Sequence, residues 1–329
     1  MRRRKFFRLC LAGPFLAASL SGCSEVRRYK SIKLAHGMDI THSVHVAMEY
    51  LAERVAEKSG GQMRVEIFPN QQLGTERESI ELLQIGSIGM TKVAASVMEG
   101  FAPNTKVLSL PYLFRDKKHQ FSVLDGPIGK ELLTQGEKFW LRGLTYYDAG
   151  SRSFYTKSRA IETPEDLAGL KIRVLESKTA MNMVTSLGGS PTPISWGELY
   201  TSLQQGVVDG AENNPPSFFL SRHYEVCKYY SLNEHTALPD ILLISTIVWE
   251  SLTPQEQQWL QEAADESSVY QRKLWVEAEK EALEAVQAAG VQVSYPDKTP
   301  FAKKVEALYQ TYKGEPEVSR LIDQIRAVQ

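Results

Sequence analysis

The sequence predicts an α/β protein of two lobes, on three observations. Helical and strand periodicities alternate along most of the chain, the pattern of strands buried beneath helices. With 329 residues, 43% hydrophobic and 23% charged, the composition is globular and long enough for about two domains. A helical pattern opens at Thr253-Pro254-Gln255-Glu256 and runs without proline or glycine to Gly290. Its ~37 residues would extend ~55 Å at 1.5 Å per residue, more than one small domain, so it bends or bridges two lobes. No repeat, low-complexity tract or flexible linker divides the chain, which is therefore expected to cross between the lobes more than once.

The first residues stand apart. MRRRKFFR is strongly basic and leads into LCLAGPFLAASLSG, an apolar run too short to span a bilayer, as in a secretory signal. Arg3-Arg4-Lys5-Phe6-Phe7-Arg8 resembles a twin-arginine export motif, although Arg2 stands where a small hydroxyl residue is usual, so the export route stays open. Leu20-Ser21-Gly22-Cys23 resembles a bacterial lipobox, in which cleavage leaves Cys23 as the lipid-bearing N-terminus; cleavage after small residues is the alternative. Either way residues 1–23 are expected to be a signal and the mature protein to lie outside the cytoplasm. Cys10 falls in the signal, which leaves Cys227 without a disulfide partner. The signal holds five basic and no acidic residues, so the remainder carries 33 basic against 39 acidic, net −6, which argues against a nucleic-acid partner.

Each element follows from a local signal. Val44, Met48, Leu51 and Val55 share one helical face, the glycines at 60 and 61 end that helix, and MRVEIF alternates as a strand. A helix over 76–85, a strand near 89–93, a strand near 107–110 and a helix near 119–133 come next. After the strand GLTYYDAG, Thr163-Pro164-Glu165-Asp166 places a cap, a first-turn proline and two acids at a short helix start. LKIRV reads as a strand, LGGSPTPIS as a loop and short strand, WGELYTSLQQG as a helix stopped by Gly206, and VVDGA as a strand. Residues 241–249 form a further strand before the long helix.

No phosphate-cradling glycine loop, G-x-S-x-G or H-E-x-x-H occurs. His42, His45 and Glu49 could form a metal-binding helix face, but two histidines and one acid fall short of a ligand set; a helix-start histidine beside a surface one is the plainer reading. The pairs Glu76/Glu78 and Asp209/Glu212 suggest acid and base roles only if a nucleophile or cofactor motif accompanies them, and none does; neither a metal nor a cofactor is expected. What stands out is a set of anion-binding groups at strand ends: Arg152, Arg173 and Asn213. Arg173 sits among Ile172, Val174 and Leu175, where a charge is costly unless paired. Either it forms a structural ion pair, with Glu176 or Asp209, or it is a preformed fork for a ligand carboxylate.

LAGLKIRV and SLGGSPTPISWGELYTSLQQGVVDGAENNPPSFF, with NQQLGTERESIELLQIGSIGMT and LSLPYLFRD, closely resemble the signatures of substrate-binding subunits of tripartite ATP-independent periplasmic (TRAP) transporters. The resemblance runs over nearly the whole mature chain. It implies a hinged, periplasmic-binding-protein-like fold of two α/β lobes with crossing strands and a long bridging helix, closing around a ligand. Residues 29–150 with 238–277 are assigned to lobe I, and 151–237 with 278–329 to lobe II. It also implies that Arg173 makes the main salt bridge to a ligand carboxylate, that Asn213 helps hold the ligand, and that Arg152 is a second arginine of the site. Asn214 and Pro215-Pro216 extend the family's shorter E-N-P form, so either amide could face the ligand. Glu76, His42 and, less strongly, Lys92 are first-lobe candidates for meeting sugar hydroxyls, with Glu76 open to a simpler reading as a helix cap.

LGTERESIE, TKVAAS, EGFAPN and SLPYLFRD most resemble the binding proteins for hexuronates such as glucuronate and galacturonate; sialic acid, a C4-dicarboxylate or an aldonate are the alternatives. The implied partners are the small and large membrane subunits of a TRAP transporter, with the membrane itself reached through a lipid anchor. Two other classes stay open: an enzyme acting on a carboxylated sugar with Glu76 and His42 as acid and base, and a ligand sensor for a signalling receptor.

Overall fold

The computed structural model describes residues 29–329; the signal and the Cys23 anchor expected above lie outside the described residues. The chain opens with β1 (Lys30–Ala35), α1 (Ser43–Lys58) and β2 (Met63–Phe68), then α2 (Glu76–Gln84) and β3 (Met90–Ala94). The Thr75 hydroxyl and the Glu78 carboxylate cap α2 reciprocally, which fixes its start. Residues 103–109, expected to contain a strand, form a short 3-10 helix instead. Pro103 presets a helical φ there, and a short apolar run such as VLSL has no period of its own to choose strand over helix.

The single helix expected near 119–133 is two, α3 (Lys117–Leu124) and α4 (Pro127–Thr134). Pro127 cannot donate to the preceding turn and starts a new helix. The two helices cross so closely that a Cβ on Gly129 would lie 1.9 Å from the Leu124 carbonyl oxygen.

β4 (Leu141–Tyr147) and β5 (Arg152–Thr156) precede β6 (Lys171–Val174), α5 (Lys178–Ser186), β7 (Ser190–Pro193) and α6 (Leu199–Gln205). Gly206, at φ 76°, ends α6, and Val207 N–H returns to the Ser202 carbonyl, so Val207 belongs to the helix stop. The strand expected from Val207 therefore starts three residues later, as β8 (Gly210–Asn213). Then come α7 (Pro215–Leu220), α8 (His223–Val226), β9 (Tyr229–Thr236) and β10 (Asp240–Ser245). Strand gives way to α9 (Thr246–Glu250) earlier than the expected Trp249. The long helix is α10 (Pro254–Ala288), 35 residues and capped by Thr253 and Glu256. β11 (Gln292–Ser294), α11 (Lys298–Thr311) and α12 (Pro316–Ala327) complete the chain.

Two sheets result. The first has the order β2-β1-β3-β10-β4, with β10 antiparallel to both neighbours; the second is β11-β9-β5-β8-β6-β7. The chain crosses between sheets through 148–151 and 237–239, and α10 packs on α1 and β4 of the first and on α7 beside the second. Gln271 of α10 pins one crossing by accepting from Asp148 N–H and donating to Asp148 O, each at 2.8 Å. Gly150 in the same crossing has φ 59°, and a Cβ there would meet the Trp275 ring at 3.1 Å, so glycine is required on both counts. α11 lies on α5 and β9, but α12, assigned with the second lobe, packs on α4 and the 103–109 helix of the first. Its apolar face, Val318, Leu321 and Ile325, is buried there.

Candidate ligand cleft

Between the two sheets lies a cleft lined by residues of both. His42, Glu76 and Lys92 face it from one side, Arg152 and Asn213 from the other. Arg173 opens on an adjoining space rather than on the cleft itself; Glu76, Leu175 and Trp196 line both. The Arg173 guanidinium lies 5.8 Å from the centre of the Trp196 ring.

Arg173 is 1% exposed. Its Nε donates to the Ile194 carbonyl at 2.8 Å, and its Nη1 is buried with no hydrogen-bond partner among the described residues. The ion-pair alternative fails: Asp209 instead accepts from Lys171 N–H at 2.8 Å, and Glu176 is exposed, with no salt bridge to Arg173 among the described residues. Burial pulls the Arg173 pKa below its ordinary value, because the guanidinium is desolvated without a counter-ion beside it among the described residues.

Arg152 is more fully engaged. Of its five N–H donors, Nε bonds Glu212 Oε2, Nη2 bonds Glu212 Oε1 at 2.9 Å and Glu212 O at 2.7 Å, and Nη1 bonds Asn213 Oδ1 at 2.9 Å. One N–H remains for the cleft. Burial alone would raise Glu212, but Arg152 and His235 outweigh it and hold the carboxyl down at about 2. The two acids suspected from sequence thus serve the loop, Asp209 at its entry and Glu212 behind Arg152.

Asn213 Oδ1 also accepts from Asn214 N–H at 2.9 Å, so its Nδ2 is left as a donor. Asn214 caps α7, its Oδ1 accepting from Ser217 N–H at 2.8 Å. Glu76 is not the cap of α2, which Thr75 and Glu78 supply; its Oε1 accepts from Ala94 N–H at 3.2 Å and Lys92 Nζ at 3.3 Å. Burial raises Glu76 above the usual carboxylate range. Lys92 sits 3.0 Å from Asp240 Oδ2 as well; burial would lower its pKa, but Asp240 and Glu76 outweigh that and raise it.

His42 Nδ1 accepts from Val44 N–H at 3.2 Å, so Nε2 carries the proton, buried and without a partner among the described residues. Burial and Lys92 lower His42 to about 3, which keeps it neutral. His45, expected at the surface, is 5% exposed and bonds His36 at 3.0 Å and Glu49 at 3.3 Å. Among the described residues no group of three or more His, Cys, Asp or Glu side chains could hold a metal ion.

Sequence reasoning missed Asp240, Trp196 and Trp275. Asp240 carried a signal: it is an acid at the head of the apolar strand DILLIS, the reasoning that singled out Arg173. The tryptophans carried none, since an indole at helical spacing reads as core; Trp275 is at once a fully buried core residue and a wall of the cleft.

The profile of the family described as "Bacterial extracellular solute-binding protein, family 7" (DctP) matches residues 34–315. The chain belongs to this family. It is a solute-binding protein of the TRAP type, and the receptor resembles solved relatives over nearly its whole described length. A TRAP periplasmic solute-binding protein from Xanthobacter autotrophicus Py2 with bound β-D-galacturonate is 39% identical with a TM-score of 0.88, covering 91% of this chain and 100% of that one. One from Roseobacter denitrificans with bound β-D-glucuronate is 34% identical with a TM-score of 0.89, covering 91% and 100%. A third, from Polaromonas sp. JS666 and bound to D-erythronate, is 32% identical with a TM-score of 0.88, covering 91% and 99%. The receptor shares their two-lobe fold. No described helix is long and apolar enough to cross a membrane.

Proposed function

We propose that the receptor captures a hexuronate such as D-glucuronate or D-galacturonate and delivers it to the small and large membrane subunits of a TRAP transporter, without covalent chemistry. The observation that carries this reading is Arg173: a guanidinium buried at the interlobe cleft, with Nη1 unpartnered and no carboxylate within 4.0 Å among the described residues. A ligand carboxylate is the group that would match it, in a bidentate pair. Asn213 Nδ2 and the remaining N–H of Arg152 would add donors from the same side. Glu76, Lys92 and His42 Nε2–H would meet the hydroxyls. The galacturonate- and glucuronate-bound relatives support the sugar-acid class; the erythronate-bound one keeps aldonates in the comparison set. In this reading residues 29–150 with 238–277 and residues 151–237 with 278–315 are the lobes that close, α12 travelling with the first. Residues 1–23 direct export, and Cys23 anchors the mature chain to the membrane through lipid.

Thermal-shift screening of uronates, aldonates, sialic acid and C4-dicarboxylates tests the ligand class. At a hundred times its Kd, a ligand adds ~2.7 kcal/mol of apparent stability; no stabilisation by any acid sugar would sink the proposal. Recovery of the bound sugar chemically unchanged separates a receptor from an enzyme using Glu76 and His42. Mass spectrometry of the mature N-terminus checks Cys23: an unmodified terminus after small residues would remove the anchor.

A further inference from the structure

We propose that Glu76 and Asp240, set around Lys92, bar a second carboxylate from the cleft, so that the site takes monocarboxylated polyols and rejects dicarboxylated ones of the same carbon skeleton. The inference rests on the sugar-acid reading above and concerns the opposite wall from Arg173.

The charges on the two walls are unequal. On the second-lobe side Arg152 is matched by Glu212, whereas Arg173 faces no carboxylate within 4.0 Å among the described residues. That wall carries one uncompensated positive charge. On the first-lobe side one ammonium, Lys92 Nζ, stands between two carboxylates, 3.3 Å from Glu76 Oε1 and 3.0 Å from Asp240 Oδ2. Lys92, Glu76 and Asp240 all line the cleft, and the side chains of Lys92 and Asp240 are 2% and 9% exposed. His42 beside them is neutral and cannot make up the difference. At the adjoining space Arg77 is paired with Glu81 at 3.2 Å and Glu176 is exposed to solvent, so neither supplies a free cation to that wall. The wall of Glu76, Lys92 and Asp240 therefore holds one carboxylate more than it holds cations.

A ligand with one carboxylate and several hydroxyls suits both walls at once. Its carboxylate neutralises Arg173, and its hydroxyls donate to Glu76 Oε2, which takes no hydrogen bond among the described residues, and to Asp240. A second carboxylate at the far end would bring like charge against acids already short of cations, in a site where water cannot screen it. It would also replace a hydroxyl donor by a group that only accepts, leaving acceptor facing acceptor.

Calorimetric titration of the full mature receptor with D-galacturonate and with galactarate, its dicarboxylated counterpart, tests this. The expected result is galacturonate binding at least ~100-fold more tightly. Glu76→Gln and Asp240→Asn remove a charge at constant shape; in at least one of them the ratio should narrow tenfold or more through tighter galactarate binding. Galactarate within tenfold of galacturonate on the unaltered receptor overturns the proposal whether or not either variant folds. So does a parallel weakening of both acids in both variants, which would mean that the acids merely hold Lys92 in place. If neither acid binds the unaltered receptor, the sugar-acid reading itself falls.

Discussion

Replacing Arg173 should move stability and affinity in different directions, because the two quantities depend on different parts of its surroundings. In the unliganded protein Arg173 makes one hydrogen bond, Nε to Ile194 O, and a distant contact with the Trp196 face. Losing these costs ~1 kcal/mol for the hydrogen bond and ~0.5–1 kcal/mol for the cation–π contact. Against this, a guanidinium 1% exposed with no counter-ion carries a desolvation penalty of several kcal/mol. Arg173→Met, which keeps the length and removes the charge, should therefore leave urea-unfolding stability unchanged or raise it by ~1–2 kcal/mol. Affinity is different. Two charge-assisted bonds to a carboxylate, at ~1.5–3 kcal/mol each, amount to ~3–6 kcal/mol, a loss of ~10²–10⁴-fold by calorimetry at ~1.4 kcal/mol per tenfold. Arg173→Lys keeps a charge but no fork and should fall near the lower end. Destabilisation of the unliganded Arg173→Met protein by more than ~3 kcal/mol, or uronate affinity preserved within tenfold, would refute the assignment.

Three further outcomes follow from the geometry. Glu212→Gln leaves Arg152 buried without its anion and should cost ~3–5 kcal/mol in denaturant unfolding; a cost below ~1 kcal/mol would mean that the pair is not buried as described. His36, His42 and His223 are lowered by burial to about 2, 3 and 3. With folded values below the unfolded ~6.5, their contribution is complete above pH ~6.5 and is lost as pH falls, the unfolded chain taking up to three more protons and stability dropping by as much as ~4 kcal/mol per pH unit between pH ~5.5 and ~4. A stability flat from pH 6.5 to 5 would contradict this. Gln71 Oε1 accepts from Gly197 N–H at 3.1 Å across the mouth of the cleft, so Gln71→Ala should weaken uronate binding by up to tenfold, chiefly as faster release in stopped flow, with unfolding stability changed by less than ~0.5 kcal/mol; unaltered release would exclude a closing role.

Much of this was legible in the sequence where the signal is local. Thr253 with Glu256 marked a helix start that the structure reproduces, because a cap and its partner lie three residues apart; the Thr75 and Glu78 cap of α2 went unread, and Glu76 was offered in its place. Gly206 stopped α6 for the same reason. The 103–110 segment and the break at Pro127 were misread because a short apolar run looks alike in a strand and in a 3-10 helix, and because an interrupted helical period looks continuous. In the cleft, Arg173 was visible as a charge out of place. That Arg152 is already held by Glu212, and that Lys92 has Asp240 as a second partner, was not. Such pairings are set by which strands become neighbours, and β10 comes beside β3 only after the chain has built most of the second sheet.

That strand order governs how the chain can fold. β10 is next to the edge strand β4 and joins it to β3, yet it lies at residues 240–245, beyond nearly all of the second sheet. An emerging N-terminal half has β1, β2 and β3 paired but leaves β3 and β4 with open edges and part of the cleft wall missing. Contacts so distant in sequence form slowly, and an unpaired edge is a template for the wrong partner. The second sheet needs only residues 152–236 for five of its six strands. The sheet encoded first thus waits for a strand that follows five strands of the second, and Asp240 reaches Lys92 in the same step that closes it.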